Sequence, residues 1–124
     1  MTFTDNPLIA ANTANYMAVT VDTARVLDSW RTSFMSYEWL DANGHIKAPA
    51  DLKEDLRSQH LAMLKAVKDG IQIARPVLGI GIYDNVEIGI GRDIFVTLAS
   101  LGLSQIAVHI PQSMARDFKA FVIN

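Results

Sequence analysis

The sequence predicts a mixed α+β fold: a single compact domain with a small mixed sheet packed by helices. Three observations predict it. Apolar residues recur at helical spacing in some stretches and alternate in others, so both periods occur in one chain. Asp84-Asn85 separates two short apolar runs, the pattern of a hairpin turn. Val86-Glu87-Ile88 is followed by Gly89-Ile90-Gly91-Arg92 and then by a helical pattern, which reads as strand, glycine turn and helix.

The chain has 124 residues, enough for one domain with a core of its own. Half the residues are hydrophobic and 19% are charged, an ordinary globular composition. Net charge is −2 and the pI is near 5.8, which argues against a broad electrostatic grip on nucleic acid. With no cysteine, the chain has no thiolate nucleophile, disulfide or zinc–thiolate site. No apolar run approaches the roughly 20 residues of a membrane span. Met1 to Asn15 lacks the basic start and apolar core of a signal peptide, so the expected location is cytoplasmic.

In chain order, residues 1–14 are small and polar and read as a flexible arm, with the domain proper over 15–124. Tyr16 to Val21 carries Val and Thr in weak alternation and predicts a strand. Asp22 has the position of a helix N-cap. Val26, Leu27, Trp30, Phe34 and Tyr37 then predict a helix over about 23–40, ended by Asn43-Gly44. Its aromatic stripe of Trp30, Phe34, Tyr37 and Trp39 reads as core packing before it reads as a ligand wall. Pro49 stands near a second helix start. Leu52, Leu56, Leu61, Met63, Leu64 and Val67 mark that helix as far as Asp69, with Gly70 as its stop. Asp51, Glu54 and Asp55 suit the helix dipole at its start. A strand over about 76–82 and a second over 86–88 form the hairpin. The helix over about 92–101 is apolar nearly all round, so it is expected to be buried, and Gly102 stops it. Gln105 to Ile110 alternates Ile106, Val108 and Ile110 on one face of a strand. After Pro111, Ser113 reads as the cap of a last helix with Met114, Phe118, Phe121 and Val122 on its apolar side.

Leu64, Val67, Gly70-Ile71, Pro76-Val77, Tyr83-Asp84, Val86-Glu87-Ile88, Gly91, Leu101-Gly102 and Ile106-Ala107-Val108 follow one another between Met63 and Pro111. In this order and spacing they resemble the ParB-like nuclease and sulfiredoxin superfamily. The resemblance covers somewhat under half the chain and implies a ParB/sulfiredoxin-like domain. The family motif is Gly-Glu-Arg-Arg. With Gly91 as the motif glycine, Arg92, Asp93 and Ile94 stand where Glu-Arg-Arg would, so the phosphate-holding arginine is replaced by Ile94. Ala107 replaces the family proline, and sulfiredoxin's cysteine has no counterpart. The fold is thus carried over more firmly than the nucleotide chemistry.

Gly89, Ile90, Gly91 and Arg92 form the candidate phosphate cradle, since glycine permits close backbone approach and arginine can pair bidentately. Arg75, just before Pro76, is a further candidate ligand contact by the same resemblance. Glu87 and Asp93 are the candidate catalytic carboxylates. His45, His60 and His109 share no metal-binding spacing, so no metal site is expected. The leading expectation is a non-catalytic ParB-like domain binding a nucleotide or nucleic-acid phosphate at the turn. The alternative is a protein-interaction module, pairing with itself or with another protein, that has lost the ligand. A third reading is a nuclease or nucleotide hydrolase using Glu87, Arg92 and Asp93.

Overall fold

Alternation and helical spacing meet in a sheet whose strands are taken out of sequence order. The structure, a computed structural model, describes residues 1–123. In chain order the elements are β1 (Phe3–Thr4), β2 (Tyr16–Asp22), α1 (Thr23–Trp30), α2 (Glu54–Lys68), β3 (Ile73–Ala74), β4 (Val77–Ile80), β5 (Val86–Ile90), α3 (Arg92–Ser100) and β6 (Gln105–Pro111). Short 3-10 helices occupy Pro7–Asn15, Ser36–Glu38, Pro49–Asp51 and Gln112–Met114. The main sheet runs β2-β6-β4-β5. β6 is antiparallel to β2 and parallel to β4, and β4 and β5 form the expected hairpin, so the sheet is mixed. β1 and β3 pair in parallel as a second, two-stranded sheet. Among the described residues, no helix is long and apolar enough to cross a membrane.

The alternation of β6 does what it predicts: Ile106, Val108 and Ile110 are buried on one face, with Val21 of β2 and Val86 and Ile88 of β5. Asp22 caps α1 by accepting a hydrogen bond from the Arg25 N–H at 3.0 Å. Val26 and Trp30, four residues apart, then fall on the buried side of α1. α2 starts on Glu54 and Asp55, ends on Lys65 and Lys68, and stops before Gly70 at φ 70°. α3 buries Phe95, Val96, Thr97 and Leu98 in succession, as expected of a helix enclosed on most sides.

Three expectations are corrected. The helix predicted over 23–40 ends at Trp30. A helix turns about 100° per residue, which would set Trp30 and Trp39 on opposite sides. Both are buried in the one core, so the chain must break between them. Serine and threonine supply the break. Thr32 donates to the Ser29 carbonyl at 2.8 Å, Ser36 to the Ser33 carbonyl at 2.8 Å, and the Met35 N–H donates to Ser33 Oγ at 3.2 Å. Phe34 and Tyr37, read as core, are therefore 80% and 61% exposed.

The last helix is replaced by a 3-10 turn at Gln112–Met114, and Ser113 caps nothing. The chain stays in turns because its end must extend again: Val122 bridges Val21, the Asp22 N–H donates to the Phe121 carbonyl at 2.8 Å, and the Ile123 N–H donates to the Thr20 carbonyl at 2.8 Å. The first fifteen residues are docked rather than loose. β1 pairs with β3, and Asn6 and Ile9 are buried. Asn6 Oδ1 accepts from the Leu8 N–H at 3.0 Å, and its Nδ2 donates to the Arg75 carbonyl at 3.2 Å.

Both edges of the main sheet are covered in part. The C-terminal residues just described lie along residues 20–22 of β2. On β5, side chains take the outward backbone groups: Ser29 Oγ accepts from the Val86 N–H at 2.8 Å, Asn85 Nδ2 donates to the Val86 carbonyl at 3.0 Å, and Arg92 Nε donates to the Ile88 carbonyl at 3.0 Å.

Candidate functional site

The glycine turn is narrower than its sequence suggests. Gly89 and Ile90 belong to β5, and Gly91 alone makes the turn, in the left-handed region at φ 84°, just before α3. A Cβ on Gly91 would lie 3.2 Å from Pro76 Cα, so this glycine serves the packing of α3 against the start of β4. A Cβ on Gly89 would only touch the Val77 carbonyl oxygen at 3.6 Å, an ordinary contact.

Gly89, Gly91, Arg92 and Asp93 do line one cleft, of about 270 Å³, with Glu38 and Gln59 opposite. The strand-to-helix arrangement thus brings most of the candidate cradle together. Its charge is mixed. Arg92 is turned back onto the Ile88 carbonyl through Nε, and Asp93 stands in the first turn of α3, where the helix dipole favours a carboxylate. Glu38, 3.4 Å from Lys53 Nζ, adds a second carboxylate.

Glu87 is held by two partners. Its Oε1 accepts from Ser33 Oγ at 2.6 Å and its Oε2 from Asn85 Nδ2 at 2.9 Å. It therefore ties the 31–37 loop to the hairpin and does not orient Arg92. Arg75 is not part of the cradle either. Its Nη1 pairs with Asp5 at 2.9 Å on the arm side of the sheet, where His109 Nε2 reaches the same Asp5 oxygen at 3.4 Å. Sequence reasoning missed Asp5 and undervalued His109. The alternation of β6 places His109 away from Ile106, Val108 and Ile110, yet it is only 5% exposed, with Asp5 of the docked arm beside it.

Of the other histidines, His45 is exposed and 3.9 Å from Asp41, and His60 is buried with Nδ1 2.9 Å from Thr97 Oγ1. No group of three metal-ligating side chains forms among the described residues. Burial holds the His60 and His109 imidazoles below the ordinary histidine range. At His109 the Arg75 guanidinium acts in the same direction, and Asp5 opposes it. Both rings favour the neutral form in the fold, while the unfolded chain takes up protons near about pH 6.5. The stabilisation is therefore complete above that value and is lost as pH falls from it through the lower values of the folded state. Thermal unfolding between about pH 8 and pH 5 is expected to show Tm falling on the acid side, with a shallower fall in His60→Gln and in His109→Gln.

Comparison of the chain with known protein families, curated proteins and solved structures finds no match.

Proposed function

We propose that this chain is a non-catalytic protein-interaction module on a ParB-like frame, working in the cytoplasm, with a phosphate site that has decayed. The observation that carries the reading is the Glu87 tie. It holds the 31–37 loop against the 81–85 turn: Ser33 bonds Glu87, and a Cβ on Gly81 would lie 3.0 Å from Glu87 Cγ. The residues that follow Ser33 and Gly81 are Phe34, at 80% exposure, and Ile82 and Tyr83, at 90% and 70%. Large apolar side chains exposed on two tied loops are the composition of a protein contact surface. The occupant is a polypeptide, either a second copy or another protein.

A second reading keeps the phosphate. It draws on the left-handed Gly91 and the start of α3, which no side chain caps, at the wall of the 270 Å³ cleft. Against it stand Ile94 in the arginine place and the carboxylates of Glu38 and Asp93. The strand, turn, helix and strand of the resemblance support the frame, since β6 lies in the sheet that holds the hairpin.

Peptides selected on the immobilised domain from a random library are expected to lose binding to the Phe34→Ser, Ile82→Ser double variant and to keep it with Arg92→Ala. ATP, CTP, GTP and phosphate are expected to leave Tm unchanged. Stabilisation by a nucleotide, worth about 2.7 kcal/mol at 100 times its Kd and abolished by Arg92→Ala, would install the second reading instead.

A further inference from the structure

On the sheet face opposite Ile106, Val108 and Ile110, small side chains stand beside His109. Ala18 and Thr20 of β2 and Ala107 of β6 floor a cleft of about 320 Å³. Val122 and Ile123 bound it on one side and Arg75 on another. Arg75 is held by its backbone on both sides: its N–H donates to the Thr4 carbonyl at 2.9 Å, and its carbonyl accepts from Asn6 Nδ2 at 3.2 Å. Its guanidinium and the buried His109 ring converge on one oxygen, Asp5 Oδ1, at 2.9 and 3.4 Å.

Asp5 Oδ1 lies near His109 Nε2 without a hydrogen bond between them, and His109 Nδ1 is buried without a partner. The seat therefore offers one permanent positive charge beside a buried imidazole, which matches a monoanion better than a phosphate dianion. Arg75 and His109 stand beside and on the main sheet. The carboxylate next to them belongs to the peripheral arm, and its side chain is 60% exposed.

We propose that Arg75 and His109 form a carboxylate receptor that Asp5 fills in cis, and that a small monocarboxylic acid with a short apolar tail takes the place of Asp5. The tail lies over Ala18 and Ala107, against Val122 and Ile123, which give the cleft its apolar wall. Asp5 then acts as an internal competitor: ligand binding displaces its exposed side chain while Thr4 and Asn6 of the same arm keep Arg75 in place. The site is separate from the Gly91 turn and does not depend on the surface of Phe34, Ile82 and Tyr83.

Butyrate is the probe, and the His109 ring resonances are the readout. In Asp5→Ala, butyrate is expected to shift the His109 resonances saturably and to raise Tm, while chloride at equal ionic strength does neither. With the seat occupied in cis in nine of ten molecules or more, the variant is expected to bind at least about tenfold more tightly than the unaltered chain. Adding Arg75→Gln is expected to abolish the response. Equal affinity in the two proteins, an unsaturable shift, or a response that survives Arg75→Gln overturns the proposal. If Asp5→Ala does not fold, Asp5→Asn keeps the side-chain shape and removes the charge. It is judged by the same saturation, affinity and Arg75→Gln criteria.

Discussion

Replacing Trp39 with alanine is expected to lower the free energy of unfolding by about 3–5 kcal/mol, the usual cost of emptying a tryptophan site in a core. Trp39 is 2% exposed and packs into the main apolar cluster with Trp30, Leu56 and Phe95. It stands in an irregular segment, between the Ser36–Glu38 turn and the bridge of Leu40 to Ile46. Such a segment has no helix ladder of its own, so its position rests on this anchor. For a domain of ordinary stability, about 5–15 kcal/mol, the loss is a large fraction of the total. Urea unfolding is the measurement: the midpoint should fall with little change in slope. A loss below about 1 kcal/mol would mean that the segment is not anchored here.

Gly91→Val should cost roughly 2–5 kcal/mol, from two sources that act together. A β-branched residue at φ 84° carries left-handed strain of about 1–2 kcal/mol. Its Cβ also meets Pro76 Cα at 3.2 Å and Pro76 Cβ at 3.3 Å, and overpacking of that kind costs about 1–3 kcal/mol. Gly89→Ala is the control, since its Cβ meets only ordinary contact, and exposed Gly89 sits at the same cleft. A glycine pair kept for ligand approach would make the two substitutions alike in ligand binding. A glycine kept for packing makes them differ sharply in stability, and the second outcome is expected.

Local signals carried most of the fold. Asp22 announced α1, Asp84-Asn85 the hairpin, and Gly91 and Gly102 the two ends of α3. What the sequence hid depends on distant partners. Nothing near Trp39 says that it shares a core with Trp30, and only that sharing shows why the helix must stop at Trp30. The polar composition of residues 1–14 reads as an unattached arm because its partners, Ile73, Arg75 and His109, lie far along the chain. The candidate site was legible in part. Gly89, Gly91, Arg92 and Asp93 are neighbours in sequence and so had to be neighbours in space. Arg75 was assigned to the same place by resemblance and Glu87 by its position beside the turn, and their side chains are drawn elsewhere by Asp5 and Ser33.

The covered margins of the main sheet bear on how this molecule behaves when crowded. Lateral growth of a β-structure needs a free row of backbone donors and acceptors, and here Phe121–Ile123 on one flank and Ser29, Asn85 and Arg92 on the other have already taken much of that row. Copies can therefore meet through side chains but have little purchase for templated, fibre-like stacking.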